Sequence, residues 1–261
     1  MSAVPVPDRL RGPLTEVGTL FVLALEGLRY SRHVGKWWWE FVEQCWFLAR
    51  VTSVPVILVA LPLGATVALQ VGQLAEQLGA QSATGGAVIV GLVREVAPIA
   101  AAMIIAGAGG SAMTADMGAR RIRDELAAME VMAVNPVQRL VTPRLWAAST
   151  VSMLLASLVI IAGAFGGFVF NVMLQEVTPG AYFDGAVSLL RMSDMVVTLF
   201  KAWLFGLVSA AVACHMGMNC ATSPVGVGRA VNQAIVVAFL LVFALNYVIT
   251  TVYILAFPPV I

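Results

Sequence analysis

Long apolar runs alternate with short polar segments along this chain. Only Arg94-Glu95 interrupts the second of five charge-free runs, which cover residues 51–75, 77–115, 145–175, 202–228 and 230–261. A helix needs roughly 20 apolar residues to cross the hydrocarbon core of a bilayer. The pattern therefore predicts an all-α integral membrane protein with five transmembrane helices, at about residues 51–75, 86–114, 145–173, 195–218 and 230–256.

The polar segment at residues 116–144 separates two of these runs and holds 9 of the 29 charged residues. Ile122, Leu126 and Met129 recur in it at three- and four-residue steps, with charged residues on the opposite face, which is typical of an amphipathic helix. Asn135-Pro136 is expected to end this helix, because a residue that precedes proline disfavours the α conformation. We predict a helix at about residues 120–134 that projects from the membrane and offers a docking element to a soluble partner.

The N-terminal region, residues 1–48, is amphipathic rather than uniformly apolar. Tryptophan beside charged residues favours the headgroup layer of a membrane, so we predict helices that lie along the membrane surface. A sixth, poorly apolar span is the alternative. The chain divides on this basis into an interfacial region at 1–48 and a five-span domain at 49–261. The tryptophans that carry the argument are Trp37, Trp38, Trp39 and Trp46.

Composition and charge narrow the class of protein. Only 11% of the residues are charged, whereas soluble globular domains carry about 25%. A net charge of +1 argues against a nucleic-acid partner, which needs a concentrated basic face. If the chain crosses five times, 12 of the 15 lysines and arginines fall on one side: six in the first 50 residues, five at 116–144, and Arg229. The positive-inside rule then predicts a cytoplasmic N-terminus and a C-terminus outside.

Charged residues inside the spans are the candidates for function. Arg94 and Glu95 lie in the second span, and neighbouring helix positions do not face each other. We expect at least one of them to address another helix or an aqueous cavity, because charge at membrane depth is costly. The alternative is that the pair lies at the outer headgroup boundary, where long side chains reach water easily. The same two interpretations apply to Lys201 in the fourth span.

Several patterns point away from catalysis and cofactor binding. The glycine-rich run at 106–112 lacks the GK[ST] ending of a phosphate loop, so its small residues indicate close helix packing. Gly163 and Gly167 indicate the same, either between subunits or within one chain. The three cysteines show no CxxC spacing, and no HExxH or GxSxG motif is present. We expect a transport or binding protein rather than an enzyme.

A set of short motifs stands out together: Leu92-Val93-Arg94-Glu95-Val96-Ala97-Pro98, the run at 106–112, Met129-Glu130-Val131-Met132-Ala133-Val134-Asn135-Pro136, Leu140-Val141-Thr142-Pro143-Arg144 and Gly226-Val227-Gly228-Arg229-Ala230. Over about residues 45–255 they resemble the MlaE/YrbE family of ABC-transporter permeases. The alanine- and valine-rich, lysine-poor composition resembles the actinobacterial YrbE proteins that accompany Mce systems.

The resemblance implies the transmembrane permease subunit of an ATP-driven lipid transporter in the cytoplasmic (inner) membrane. Its implied partners are a second permease subunit, in Mce-type systems a non-identical one, and two copies of a cytoplasmic ABC ATPase that binds ATP and Mg²⁺. MCE-domain proteins would lie on the outer side, and the substrate would be a lipid. No cofactor is expected on this chain itself.

The resemblance also assigns roles to residues. The predicted helix at 120–134 matches the family's cytoplasmic coupling helix, which gives four candidates for the ATPase contact: Asp124, Glu125, Met129 and Glu130. Arg94, Glu95 and Lys201 match polar intramembrane positions close to the lipid cavity or its exit. Position near the end of the first span adds four apolar candidates for the cavity wall: Val67, Leu69, Leu74 and Leu78.

The chain departs from the family's pattern at two positions. The family often has an acidic residue before the coupling-helix proline, where this chain has Asn135, and an acidic position in the last span is matched by Asn246. The second departure implies either that an ion pair is absent or that a non-identical partner supplies the charge. A secondary transporter or channel without an ATPase is the alternative function, and it would need a proton-carrying carboxylate at mid-membrane, for which Glu95 is the candidate.

Overall fold

The computed structural model describes residues 8–32, 37–79, 84–174 and 178–256, and these residues form helices without any β-strand. A short 3₁₀ turn, Tyr30–Arg32, follows the first helix. The helices are α1 (Asp8–Arg29), α2 (Trp38–Gln77), α3 (Thr84–Ile122), α4 (Glu125–Val131), α5 (Val137–Met173), α6 (Pro179–Leu189), α7 (Met192–Met218) and α8 (Pro224–Ala256).

Five of these helices are long and apolar enough to cross a membrane: α2, α3, α5, α7 and α8. The prediction of an all-α protein with five spans is confirmed. The helices extend past the predicted spans, because an apolar run indicates the part of a helix that crosses the membrane and not where the helix ends. Helix α2 is 40 residues long and begins at Trp38, so it passes residue 48 without a break. The division into regions 1–48 and 49–261 therefore falls inside one continuous helix, and the interfacial position of the N-terminal region stays a prediction.

The bundle has two ends, which we name by the short helices found there. At the α4 end, α2 begins, α3 ends and α5 begins; Glu40 of α2 pairs with Arg139 of α5 there, with an N–O distance of 2.9 Å. Helix α1 joins this end, since the hydroxyl of Thr142 donates to the carbonyl of Gly27. At the α6 end, the first turns of α3 contact α6.

Helix α6 lies between the third and fourth predicted spans, where no helix is predicted from the sequence. Pro179 occupies its first position, where the missing N–H costs nothing. A Cβ on Gly85 would lie 2.4 Å from the carbonyl oxygen of Tyr182, so α3 and α6 touch backbone to backbone. Burial raises the pKa of the Tyr182 phenol to about 12, and the protonated hydroxyl donates to the carbonyl of Ala164. Helix α6 is thereby fixed to the bundle.

Helices α2 and α5 pack closely through glycines. A Cβ on Gly64 would lie 1.9 Å from the carbonyl oxygen of Gly163, and a Cβ on Gly166 would lie 2.3 Å from that of Leu61. Such approach is possible only without side chains. Gly167 faces the same contact. Of the two interpretations of the Gly163 and Gly167 pair, the structure shows packing within one chain.

Helix α3 contains two π-helical segments, Leu92–Val96 and Ile105–Gly109. In the first, the N–H of Ala97 bonds to the carbonyl of Leu92, a step of five residues rather than four. Arg94 and Glu95 both belong to this segment. A π-helical insertion is frequently found at functional sites, because it redirects side chains and backbone carbonyls.

The predicted continuous helix at 120–134 is wrong in its first part. Helix α3 runs on to Ile122, and Asp124 then adopts a left-handed conformation with φ of 56°, so the chain turns before α4 begins at Glu125. Aspartate is one of the few residues that tolerate this conformation. Helix α4 ends at Val131, before Asn135-Pro136 as predicted, and Ala133 is again left-handed with φ of 58°.

Candidate functional site

Arg94 of α3 and Asp194 of α7 form a bidentate ion pair. The Nε–Oδ1 and Nη2–Oδ2 distances are 2.8 and 3.1 Å. The Asp194 side chain is fully buried and also accepts hydrogen bonds from the hydroxyl of Tyr253 and the backbone N–H of Arg191. All four acceptor positions of this carboxylate are therefore used. The fork geometry of Arg94 makes this one of the stronger kinds of protein hydrogen bond.

Lys201 of α7 lies beside this pair and is bound by three acceptors. Its Nζ donates to the carbonyl oxygen of Arg94 at 3.0 Å, to Oε1 of Glu95 at 3.2 Å and to Oγ1 of Thr250 at 2.7 Å. These contacts use all three ammonium protons. Glu95 in turn accepts hydrogen bonds from Thr250 at 2.9 Å and from Nδ2 of Asn246 at 2.8 Å.

The π-helical segment of α3 also bonds to α7 through its backbone. The carbonyl oxygen of Val93 accepts from the hydroxyl of Thr198 at 2.8 Å, and that of Arg94 accepts from Lys201. A π-helical turn interrupts the regular four-residue pattern of backbone bonds and leaves carbonyls available to a neighbouring helix. The segment thus presents both its side chains and its backbone to α7.

We call these residues the polar cluster: Arg94, Glu95, Asp194, Thr198, Lys201, Asn246, Thr250 and Tyr253. It joins α3, α7 and α8. The sequence left open whether Arg94 and Glu95 bind another helix or lie at the outer headgroup boundary. The structure favours the first interpretation, because Arg94 bonds to α7 and Glu95 bonds to α7 and α8. Asn246 occupies the position where the family pattern suggested an acid, and its amide donates to Glu95.

A cavity of about 290 Å³ opens on the polar cluster. Its apolar lining includes Val90, Val197 and Ile254. Its polar lining comes from seven residues of the polar cluster: Arg94, Glu95, Asp194, Thr198, Lys201, Thr250 and Tyr253. The four apolar candidates for the lipid pathway are elsewhere: Val67, Leu69 and Leu74 lie on α2 and Leu78 directly follows it, and none of them lines this cavity. Val67 is half-buried, and Leu69, Leu74 and Leu78 are exposed on the isolated chain. The structure therefore brings together the three charged candidates but not the four apolar ones, whose role stays a prediction.

Helix α4 has an inner and an outer face. Leu126 and Met129 are half-buried and pack against the main hydrophobic core, whereas Glu130 and Val131 are exposed. None of the residues of α4 is fully buried. Of the predicted ATPase contacts, Met129 is half-buried and packs on the core, and its contact with the ATPase stays a prediction.

The two acidic candidates at the start of α4 also differ from each other. Asp124 is exposed in the turn before the helix, while Glu125 is bound by Arg120 at 3.4 Å and by Arg123 at 2.8 Å. Arg120 also forms an ion pair with Asp116, with an Nε–Oδ2 distance of 3.2 Å. Asp124 and Glu130 are therefore the acidic residues of this set that carry no ion pair among the described residues.

Asn135 caps the start of α5. Its Oδ1 accepts the N–H of Val137 at 2.8 Å, with Pro136 in the position that needs no donor. Its Nδ2 donates to the hydroxyl of Tyr30 at 3.1 Å and so ties the turn after α1 to this point. A neutral amide thus caps this helix at the position where the family pattern suggested an acid.

Four residues of the polar cluster are not predicted from the sequence as site residues: Asp194, Thr198, Thr250 and Tyr253. A signal for them is present in the sequence: Asp194, Thr198 and Lys201 are spaced at i, i+4 and i+7, and Asn246, Thr250 and Tyr253 repeat that spacing on α8. Polar residues at this spacing share one face of a helix. Two such faces in neighbouring spans indicate that the spans meet through polar side chains.

Comparison with known proteins identifies the family of this chain. The sequence model of the family described as Permease MlaE matches residues 41–252.

The chain belongs to the MlaE permease family.

Relatives within this family share about a quarter to a third of their residues with the chain. A probable ABC transporter permease protein of Synechocystis is 27% identical over 92% of this chain and 89% of its own length. The intermembrane phospholipid transport system permease protein MlaE of Haemophilus influenzae is 29% identical over 81% of each chain. A probable ABC transporter permease protein of Rickettsia prowazekii is 28% identical over 73% of each. The resemblance inferred from the motifs is confirmed, and a permease is a transport protein.

Proposed function

We propose that this MlaE-family chain is the permease subunit of an ATP-driven ABC lipid transporter of the Mce or Mla type. The observation that carries the proposal is the match to the permease family over residues 41–252, which contains α4 and all or nearly all of each of the five spans. The name of the relative from Haemophilus influenzae supports a lipid as the substrate class. ATP and Mg²⁺ would be bound by a separate ATPase subunit.

The proposed orientation has the α4 end in the cytoplasm and the α6 end outside. Arg120, Arg121, Arg123 and Arg139 cluster at the α4 end, which accords with the positive-inside rule. The N-terminus would be cytoplasmic and, after five crossings, the C-terminus would be outside. MCE-domain proteins would then meet the α6 end.

Helix α4 is the proposed contact for two copies of the cytoplasmic ATPase, one on each permease subunit. The outer face of α4 and the residues that flank the helix combine the acidic Asp124 and Glu130 with the apolar Val131 and Met132, which are 89% and 66% exposed. An apolar patch with a charged rim is typical of a protein interface. The inner face, through Leu126 and Met129, would transmit movement of α4 to the core. A second, non-identical YrbE-type permease would complete the lipid cavity.

Co-purification with the ATPase tests the docking assignment. Glu130→Lys reverses an exposed charge and should abolish ATPase co-purification while the chain still inserts into the membrane. Glu125→Lys should do the same, but it also removes the bonds to Arg120 and Arg123. The matched control is Glu76→Lys, the same reversal at the far end of α2, which should leave co-purification intact. Normal ATPase recovery with both α4 variants would overturn the assignment.

An ATPase-independent transporter or channel remains the competing class. It needs a carboxylate that exchanges protons at mid-membrane, whereas Asp194 and Glu95 are both held by cations of the same chain. Lipid movement in reconstituted vesicles distinguishes the two: the proposed function requires ATP and the ATPase subunit, and the alternative does not.

A further inference from the structure

An ion-pair network at the α4 end of the bundle runs from α4 through α3 to α5. Glu125 at the start of α4 pairs with Arg120 of α3, with an Oε2–Nη1 distance of 3.4 Å. Arg120 pairs with Asp116, one helical turn earlier on α3, with an Nε–Oδ2 distance of 3.2 Å. The same carboxylate accepts a hydrogen bond from Arg144 of α5. Four side chains therefore join the proposed docking helix to a membrane-spanning helix.

Arg144 is the buried end of the ion-pair network. Its side chain is 4% exposed, and Asp116 is the one acid that pairs with it among the described residues. Its other contacts are neutral: the carbonyl oxygen of Leu140 at 3.4 Å and the sulfur of Met117 at 3.0 Å. A buried cation that loses its anion is strongly destabilised. Arg144 must therefore follow Asp116 if that carboxylate shifts.

Arg120 is the link between the two carboxylates of the network. Its Nε donates to Asp116 and its Nη1 donates to Glu125. Both nitrogens belong to one planar guanidinium group, which holds its partners in a fixed relative direction. A displacement of Glu125 together with α4 is thus passed on to Asp116. The apolar contacts of Leu126 and Met129 with the core do not specify a direction in this way, because hydrophobic contacts are non-directional.

The structure leaves room for a displacement of α4. A cavity of about 330 Å³ lies beside this helix and is lined by Met129 of α4, Arg120 and Arg144 of the network, and Glu43 of α2. A close-packed interior resists movement. An opening at this place lets α4 shift toward α2 while the ion pairs stay intact.

We infer that Asp116 is a positioning residue that couples α4 to α5. Arg120 delivers the movement of α4 to its carboxylate, and the buried Arg144 passes that movement to the membrane-spanning helix. Asp116 acts only through the two arginines and has no proposed contact with the lipid. The inference rests on the proposed ATP-driven transport function and deepens it by naming how the ATPase acts on the permease.

Two arginine variants separate coupling from mere support of Glu125. Arg120→Gln and Arg123→Gln each remove one cation from Glu125, but only Arg120 also pairs with Asp116. The assembled complex is reconstituted in proteoliposomes that contain phosphatidylethanolamine with a fluorescent label on one tail, and the lipid moved is measured per ATP hydrolysed. For Arg120→Gln we expect this ratio to fall at least about fivefold, the lower end of typical coupling between two sites, while ATPase co-purification persists. Arg123→Gln is the matched control and should leave the ratio unchanged.

Variants of Asp116 itself distinguish coupling from a structural role. Asp116→Asn should lower the ratio too, but it leaves Arg144 buried without its anion and so also impairs folding. The double variant Asp116→Asn with Arg144→Gln removes both charges, so the folded chain should be recovered while the ratio stays low. Asp116→Glu keeps the carboxylate and should retain most of the coupling. A normal ratio in the double variant would show that Asp116 only neutralises Arg144 and would overturn the inference.

The unsubstituted complex separates failure of the inference from failure of the proposed function. If it moves lipid with ATP, and Arg120→Gln and Arg123→Gln give the same ratio, the inference is wrong and the proposed function stands. If it hydrolyses ATP and moves no lipid, the proposed function is wrong and the inference is wrong with it.

Discussion

Arg94 and Asp194 are 100 residues apart in the chain and meet as a bidentate ion pair between α3 and α7. The Asp194 side chain is fully buried, while a third of the Arg94 side chain is exposed. The pair therefore closes the inner side of the polar cluster and leaves the guanidinium at the edge of the cavity. It fixes the π-helical segment of α3 against α7 and so determines where Glu95 lies.

Removal of the buried carboxylate should destabilise the protein. Asp194→Asn leaves Arg94 without its anion, and loss of one partner of a buried pair costs about 3–5 kcal/mol, with the lower end expected here because Arg94 is partly exposed. Thermal unfolding of the detergent-solubilised chain measures the change. The double variant Arg94→Gln with Asp194→Asn should recover part of the loss, and Asp184→Asn, an exposed position on α6, should have no effect. An unchanged unfolding temperature for Asp194→Asn would contradict the structure.

The glycine contact between α2 and α5 makes a second prediction. Gly64→Ala would place a methyl group 1.9 Å from the carbonyl oxygen of Gly163, so the helices must separate. Overpacking of this kind costs about 1–3 kcal/mol. Gly107→Ala is the matched control, since a Cβ at Gly107 meets nothing within 4 Å and alanine favours the helix. The two variants should move the unfolding temperature in opposite directions, and a similar shift for both would argue against the contact.

The two faces of α4 should respond differently to substitution. Met129→Ala removes a side chain that packs on the core and should lower the stability by about 1 kcal/mol. Glu130→Ala changes an exposed residue and should alter the stability by less than about 0.5 kcal/mol while it weakens ATPase co-purification. Unfolding temperature and ATPase recovery, measured on the same preparations, separate the two roles. Equal stability losses for the two variants would show that the faces are assigned incorrectly.

The cap at the start of α5 predicts a graded effect at Asn135. Asn135→Ala removes the acceptor for the N–H of Val137 and should cost about 1 kcal/mol. Asn135→Asp keeps that acceptor and loses only the amide bond to Tyr30, so its cost should be smaller. Unfolding temperatures of the two variants provide the comparison, and a larger loss for aspartate would refute the capping role.

The proposed orientation is open to a labelling test. In a background of Cys45→Ala, Cys214→Ala and Cys220→Ala, single cysteines are introduced at Ala128 on α4 and at Val187 on α6, both of which are exposed. A membrane-impermeant maleimide applied to intact cells should label the cysteine at 187 and should reach the one at 128 only after permeabilisation. The reverse pattern would place α4 outside, where a cytoplasmic ATPase could not bind it.

The sequence predicts the spans well, because the cost of burying charge in a bilayer makes long charge-free runs unambiguous. It predicts the helix ends poorly. Helix α2 begins at Trp38 and α3 ends at Ile122, and neither residue marks the end of a charge-free run. The apolar pattern does not reveal α6, because its 11 residues are too short to form a span.

The candidate site, too, can be predicted from the sequence only in part. Arg94, Glu95 and Lys201 are visible in the sequence as charges in apolar surroundings, but their partners depend on which helices meet. The spacing of Asp194, Thr198 and Lys201 shows that they share a face and does not show that this face meets α3. Similarly, the amphipathic pattern identifies Met129 as part of an apolar stripe, and only the packed structure shows that the stripe turns toward the core.

The π-helical segment Leu92–Val96 also constrains how the length of α3 can change during evolution. The wide turn holds one residue more than a regular α-helical turn, so deletion of a single residue there would restore regular winding while the residues that follow keep nearly the same rotational position. The faces that contact α2 through Gly109 and α8 through Gly118 would therefore stay in place. The same deletion in a regular part of α3 would instead turn the following part of the helix by about 100° and move both faces away from their partners.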